Sequence, residues 1–256
     1  MMKVGLVLSG GGARGVAHIG VLQALEEKNI RFHVVAGTSA GSIIGALYAQ
    51  GYRPAEIMSI VQQISLVRSV RPALSWTGLL KMDGLREMLL KYVPHNSFNA
   101  LALPLTVAAT DLKRGKVSYF TQGDLATCIT ASCSIPGVFS PVPIGDSLFV
   151  DGGIFDNLPA RAIRDECEVL VGLHCNPISP DFDARNMKVV IERSMLMAIG
   201  VGTQFNKHLC NFVIEPPGLD KYNSFEFGKA KEIFEIGYRY TKDNVNPEMI
   251  FNPAHD

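Results

Sequence analysis

Short apolar runs alternate along this chain with longer stretches whose apolar positions recur every three or four residues. The first pattern predicts strands buried on both faces, and the second predicts helices. Residues 3–8 (KVGLVL), 31–37 (RFHVVAG), 168–175 (EVLVGLHC) and 211–216 (NFVIEP) read as strands. Helical periodicity covers 14–28, 40–51, 123–134, 184–209 and 225–243. Pro54 opens a further helix, as suits a first helical turn, and Asp83 is placed to cap one that Pro94 stops. Residues 104–111 and 116–122 flank LKRG as a hairpin, and 141–153 read as short strands and turns. The alternation predicts an α/β fold, a parallel or mixed sheet with helices on both faces. No repeat, low-complexity tract or Gly/Ser linker interrupts it, so residues 1–256 are expected to form a single domain. In such sheets the reactive loops gather at the carboxyl ends of the strands. The loops after the first two strands are therefore expected to be neighbours.

Composition narrows the partners. Lys plus Arg and Asp plus Glu both total 24, a net charge of zero. Nucleic-acid binders carry a basic excess, so nucleic acid is not an expected partner. The five cysteines (Cys128, Cys133, Cys167, Cys175, Cys210) are scattered and form no C-x-x-C pair. Neither a metal site nor a disulfide framework is indicated, and core thiols in a reducing compartment are the plain reading. The apolar stretch after Lys3 is too short for a signal peptide, and no window approaches the ~20 residues that span a bilayer. A cytoplasmic protein is expected.

Two glycine-rich segments carry candidate chemistry. Gly10, Gly12 and Gly15 fit G-x-G-x-x-G after the first strand. A dinucleotide site would need an acidic residue at the end of the second strand, and Phe32 to Ala36 hold none. A P-loop would need Lys where Val16 stands. The second strand instead runs into Gly37-Thr38-Ser39-Ala40-Gly41, a G-x-S-x-G between strand and helix, which is the setting of a nucleophile elbow. Ser39 is then lifted on a tight turn, Gly37 and Gly41 make room, and the helix beginning at Ala40 favours negative charge beside the hydroxyl. The side-chain-free amides of Gly10, Gly11 and Gly12 suit the oxyanion of a tetrahedral intermediate.

A serine nucleophile needs a proton acceptor. Of six histidines, His174 at a strand end is the one that could complete a Ser39–Asp151–His174 triad. Asp151, in FVDGG, is the other acceptor, with Gly152 and Gly153 leaving its carboxylate accessible. Burial would raise its pKa toward the useful range, and a plain turn-capping role is the alternative.

Together SGGGARG (Ser9 to Gly15), GTSAG (Gly37 to Gly41), ASCSIPGVFSPV (Ala131 to Val142) and DGG (Asp151 to Gly153) resemble the patatin-like phospholipases over about residues 3–175. The resemblance implies a three-layer α/β/α fold with a mostly parallel sheet, and a Ser39–Asp151 dyad hydrolysing lipid esters through an acyl-enzyme. It also implies an oxyanion hole from Gly10 to Gly12 with Arg14, and no metal or cofactor. Ser9 stands where plant patatins carry Asp, which points to the bacterial, neuropathy-target-esterase-like branch. The expected partner is an amphiphilic ester, with transient contact at a membrane surface. A non-catalytic lipid-binding module is the rival of a different class.

Other features have plainer readings. Arg14 is expected to brace its loop through a carboxylate. Leu66 to Met82, with Arg68, Trp76 and Leu80, could cap the site, although a loop and helix covering the core is the simpler expectation. Met195 and Met197, beside Leu196 and Ile199, read as helix core rather than an acyl-chain pocket.

Overall fold

The computed structural model describes residues 2–63, 71–75 and 78–251. Strand β1 (Val4–Leu8) lies at the centre of a mixed, mostly parallel sheet. β9 (Val169–Leu173) pairs parallel on one side of it and β2 (Val34–Thr38) on the other. The sheet continues outward to β10 (Phe212–Ile214) beyond β9 and to β5 (Leu105–Asp111) beyond β2, all parallel. Three antiparallel strands complete it: β6 (Lys116–Phe120), β7 (Val142–Ile144) and β8 (Ser147–Asp151). The expected hairpin after residue 104 is β5–β6.

Alternate residues of the central strands enter two different cores. Leu6 and Leu8 of β1, Val35 of β2 and Val171 of β9 pack under α1 (Val16–Glu27), α2 (Ala40–Gln50), α3 (Pro54–Gln63), α4 (Asp83–Tyr92), α5 (Leu125–Ser132) and α7 (Ala230–Asn244). Val7, Val34, Ala36 and Leu170 face the other way. There they meet Leu158, Ala160 and Ile163, in and beside short 3-10 turns, with Leu209 and Cys210 just after α6 (Met187–Lys207). Helices, sheet and a thinner helical layer make three layers, as the motifs implied. A strand covered on both sides explains why β1 and β9 read as unbroken apolar runs.

Three details differ from expectation. Met82, not Asp83, occupies the cap position of α4, and no side chain caps it; Asp83 sits one residue inside, in the first turn, where its charge still opposes the helix dipole. Residues 71–75 and 78–81 form an antiparallel pair, β3 (Arg71–Ser75) with β4 (Gly78–Lys81), where loop and helix were expected. Leu66, Arg68 and Trp76 of that segment lie outside the described residues, as does His255. A short α8 (Pro247–Phe251) follows α7 and buries Ile250.

Candidate active site

The register on β5 builds the site. β6 runs along one edge of β5 from Val107 to Asp111, so β2 and β8 share the opposite edge. β2 runs parallel to the first half of β5 and ends with Thr38 opposite Ala108. β8 runs antiparallel to the second half and ends with Asp151 opposite Ala109. The two strands therefore converge head-on at their carboxyl ends. Ser39, the next residue after β2, arrives beside Asp151.

Ser39 adopts φ 53° and ψ −125°, a region that L-residues rarely occupy and that stores strain. Its surroundings hold it there. The Ser39 N–H donates to Ser132 Oγ at 2.8 Å, and the Ser132 hydroxyl donates to the Ala108 carbonyl at 2.7 Å. Ser42 Oγ donates to the Ser39 carbonyl at 2.7 Å, and Thr38 Oγ1 donates to the Asp156 carbonyl at 2.8 Å. A Cβ on Gly37 would stand 2.5 Å from the Gly41 carbonyl oxygen, and one on Gly41 would strike the Leu8 carbonyl. Both glycines are required by this close approach of strand and helix. Ala40 opens α2, so the positive end of the helix faces Ser39.

Asp151 is nearly fully buried, and burial raises its pKa to about 6. The Ser39 hydroxyl and the Gly153 N–H, the latter donating to Oδ1 at 2.7 Å, pull the other way without reversing it. Gly152 packs so close to the Ala108 carbonyl that no side chain would fit. Asp151 thus does cap a short turn, Gly152–Ile154, and is also held next to the serine.

The glycine loop is locked from behind. The Ser9 N–H donates to Leu173, and Ser9 Oγ accepts the Cys175 N–H at 3.1 Å. His18 is kept neutral by burial, its pKa lowered to about 4, and its Nε2–H donates to the Ser9 carbonyl at 2.9 Å. Gly10 donates its N–H to the Asn157 carbonyl at 3.1 Å. Among the described residues the N–H groups of Gly11 and Gly12 have no protein acceptor, and both residues line the cavity that contains Ser39 and Asp151. Gly12 has φ +57°, and a Cβ there would strike Ser224. Arg14 is tied to two partners outside the loop. Its Nε–H donates to the Tyr222 carbonyl at 2.6 Å, and Glu192 lies 3.9 Å off, so it braces the loop against α6 and the segment before α7.

The cavity measures about 340 Å³. Ile135, Pro136, Val138, Ile154, Met195 and Leu196 make its walls largely apolar. This corrects the reading of the methionine cluster. Met195, Leu196 and Ile199 line the cavity, and Met197 is exposed. Helix α6 lines the cavity with one side and exposes the other. Its outer stripe of Met187, Val190, Met197, Val201 and Phe205 is exposed, with Met187 and Val201 at 78%.

His174 does not join the pair. It lines a neighbouring cavity, and its Nδ1 lies 2.8 Å from Glu215 Oε1. Among the described residues no hydrogen bond links it to Ser39 or Asp151. Two other polar residues belong to the site and were given no role from sequence: Ser132, inside the ASCSIPGVFSPV motif, which holds the elbow, and Asn157, whose Oδ1 lies against both Gly10 and Gly153. Asn157 stands six residues past Asp151 in DGGIFDN, and that proximity was the available signal. No group of three or more His, Cys, Asp or Glu suited to a metal ion occurs among the described residues.

Residues 6–163 match the family described as patatin-like phospholipase. An NTE family protein of Mycobacterium tuberculosis is 35% identical over 187 residues, which is 71% of this chain and 52% of that protein. Lysophospholipase NTE1 of Kluyveromyces lactis is 27% identical over 273 residues, 94% of this chain and 19% of its own. The crystal structure of VipD from Legionella pneumophila shares the fold with a TM-score of 0.50 at 15% identity, covering 94% of this chain and 66% of that one. The chain spans about half the length of the mycobacterial relative and about a fifth of the fungal one.

Proposed function

Since the chain belongs to the patatin-like phospholipase family, we propose that it hydrolyses carboxylic esters of lipids, with Ser39 as nucleophile and Asp151 as its proton acceptor. The observation that carries this reading is the meeting of Ser39 and the buried Asp151 carboxylate on one edge of β5, beside the amides of Gly11 and Gly12. Ser39 Oγ attacks the ester carbonyl carbon as its proton passes to Asp151. The oxygen that gains the negative charge accepts the Gly11 and Gly12 N–H groups; a donor of this kind is worth about 2.7–4 kcal/mol. The C–O bond to the alcohol breaks, and the alcohol leaves with the proton from Asp151. Water then gives a proton to Asp151 and attacks the acyl-Ser39 ester. Collapse releases the fatty acid and returns the proton to Ser39. A carboxylate with its pKa near 6 is a better base than an ordinary one and is still ionised at neutral pH.

The apolar cavity suits an acyl chain, which makes phospholipids, lysophospholipids and related esters the substrate class. Among the described residues no helix is long and apolar enough to cross a membrane. The exposed stripe of α6 continues the cavity lining through Met195 to the surface, and we place a peripheral lipid contact there.

Labelling with a fluorophosphonate probe tests the reading. Wild type should form an adduct, Ser39→Ala should form none, and Asp151→Ala should react far more slowly. Equal labelling of Ser39→Ala and wild type would overturn it. A conventional triad requires that His174→Ala abolish turnover; the Ser39–Asp151 reading expects substantial activity to remain.

A further inference from the structure

The second cavity, about 430 Å³, adjoins the first and shares Asn157, Asn176, Leu196 and Ile199 with it. The two differ in chemistry. The Ser39 cavity is walled mainly by apolar side chains, whereas its neighbour holds His174, Lys207 and Glu215.

These three are interlocked. Glu215 accepts from Lys207 Nζ at 2.5 Å and from His174 Nδ1 at 2.8 Å. Burial raises the pKa of Glu215, but those two donors outweigh it and hold the carboxyl at about 2. An ionised carboxylate only accepts, so the imidazole must donate its Nδ1–H. Burial also lowers the His174 pKa, which leaves the ring neutral and its Nε2 a bare acceptor. Among the described residues Nε2 has no protein partner. Lys207 and Glu215 cancel one another, so the cavity offers hydrogen bonds without net charge.

Asn157 repeats the pattern at the shared wall. The residue is only 6% exposed, and its carboxamide has no protein partner among the described residues. The Asn157 carboxamide and the His174 Nε2 both face open cavity space, free to hydrogen-bond a polar group that enters it.

An ester has two arms. With the acyl arm in the apolar cavity, the alcohol arm extends past Asn157. We propose that the second cavity receives the hydroxyl-bearing alcohol half of the substrate, a glycerol-type polyol, with Asn157 and the Nε2 of His174 hydrogen-bonding its hydroxyls. This rests on Ser39 being the nucleophile. It gives His174 a role in choosing the substrate and none in moving the proton. The lack of net charge favours neutral hydroxyls over a free anion or cation.

Monodecanoylglycerol and methyl decanoate share one acyl chain and differ in the alcohol. The ratio of their kcat/KM values should fall roughly two- to tenfold in His174→Leu, the worth of one neutral hydrogen bond. His174→Gln, which can still donate to Glu215 and accept a hydroxyl, should recover most of it. A merely structural role would depress both substrates alike and leave the ratio unchanged, which overturns the proposal. 1-Decanoyl-lysophosphatidylcholine, run beside them, brings a glycerol hydroxyl with a phosphodiester attached. An equal response to His174→Leu assigns the site to the glycerol that both substrates share; a response confined to the phosphodiester substrate overturns the neutral-polyol assignment. Binding to wild type needs no variant: 1-O-decylglycerol should inhibit several-fold more tightly than decyl methyl ether, and equal inhibition overturns the proposal. If wild type neither labels at Ser39 nor cleaves any ester, the assignment of Ser39 fails, while the difference between the two ethers still reports on the cavity.

Discussion

Asp151→Asn should make the protein more stable and inactive, and the gain should depend on pH. The substitution removes an ionisable group but keeps an oxygen to accept the Gly153 N–H. Burial lifts the Asp151 pKa from its ordinary 3.8 to about 6. That gap is about 2.2 pH units, and at 1.36 kcal/mol per unit it amounts to about 3 kcal/mol. The carboxyl is almost fully buried, so solvent does not screen this away. The folded state holds the proton more tightly than the unfolded chain, so between about pH 4 and pH 6 it carries the larger share of protons. Wild-type stability therefore falls as pH rises through that window and stays lower above it. The variant lacks this loss. Urea unfolding at pH 4 and pH 8 should show its advantage growing by about 3 kcal/mol between the two, with an unchanged m-value. The same pKa governs chemistry, so wild-type kcat/KM should rise with pH and reach half its plateau near pH 6. An advantage that does not change with pH, or a kcat/KM profile already flat above pH 4.5, would refute the reasoning.

Three further outcomes follow from the geometry. Ser132→Ala strips the acceptor from the Ser39 N–H and the donor from the Ala108 carbonyl, and should cost about 1–3 kcal/mol in denaturant unfolding. It should also slow fluorophosphonate labelling, and an unchanged labelling rate would show that Ser132 does not position the nucleophile. Gly37→Ala drives a Cβ to 2.5 Å from the Gly41 carbonyl oxygen, a backbone atom that cannot swing aside, and should cost at least about 1–3 kcal/mol, read as a lowered Tm. Val201→Glu with Met197→Glu alters two exposed positions, so stability should stay within about 0.5 kcal/mol per site while flotation with phosphatidylcholine vesicles weakens several-fold. Undiminished flotation would remove α6 as the lipid contact.

The central strands and the elbow were legible because their causes are local. β1 and β9 are apolar on both faces, and Gly37 and Gly41 bracket Ser39 where a turn must be tight. Asp151 could be read from its glycines. The remaining site residues carry no such signature. Ser132 sits inside an ordinary buried helix, and only its distance to the Ser39 N–H gives it a role. Asn157 is one asparagine among several, and only its place six residues past Asp151 hinted at it. Helix α6 misled for a definite reason. Apolar residues occupy both its sides, which reads as core, whereas one side roofs a cavity and the other meets solvent. The β3–β4 pair escaped because Pro72 and Gly78 are residues that disfavour strands.

The shared edge of β5 also sets when the site can exist. Ser39 and Asp151 are 112 positions apart in the chain (151 − 39), and they are joined only once two strands running in opposite directions have docked on the same neighbour. A nascent chain that has completed β1, β2 and the elbow already displays its serine, yet has no Asp151 beside it. Contacts of such long sequence separation form slowly. On the proposed mechanism, hydrolysis therefore waits for the finished fold.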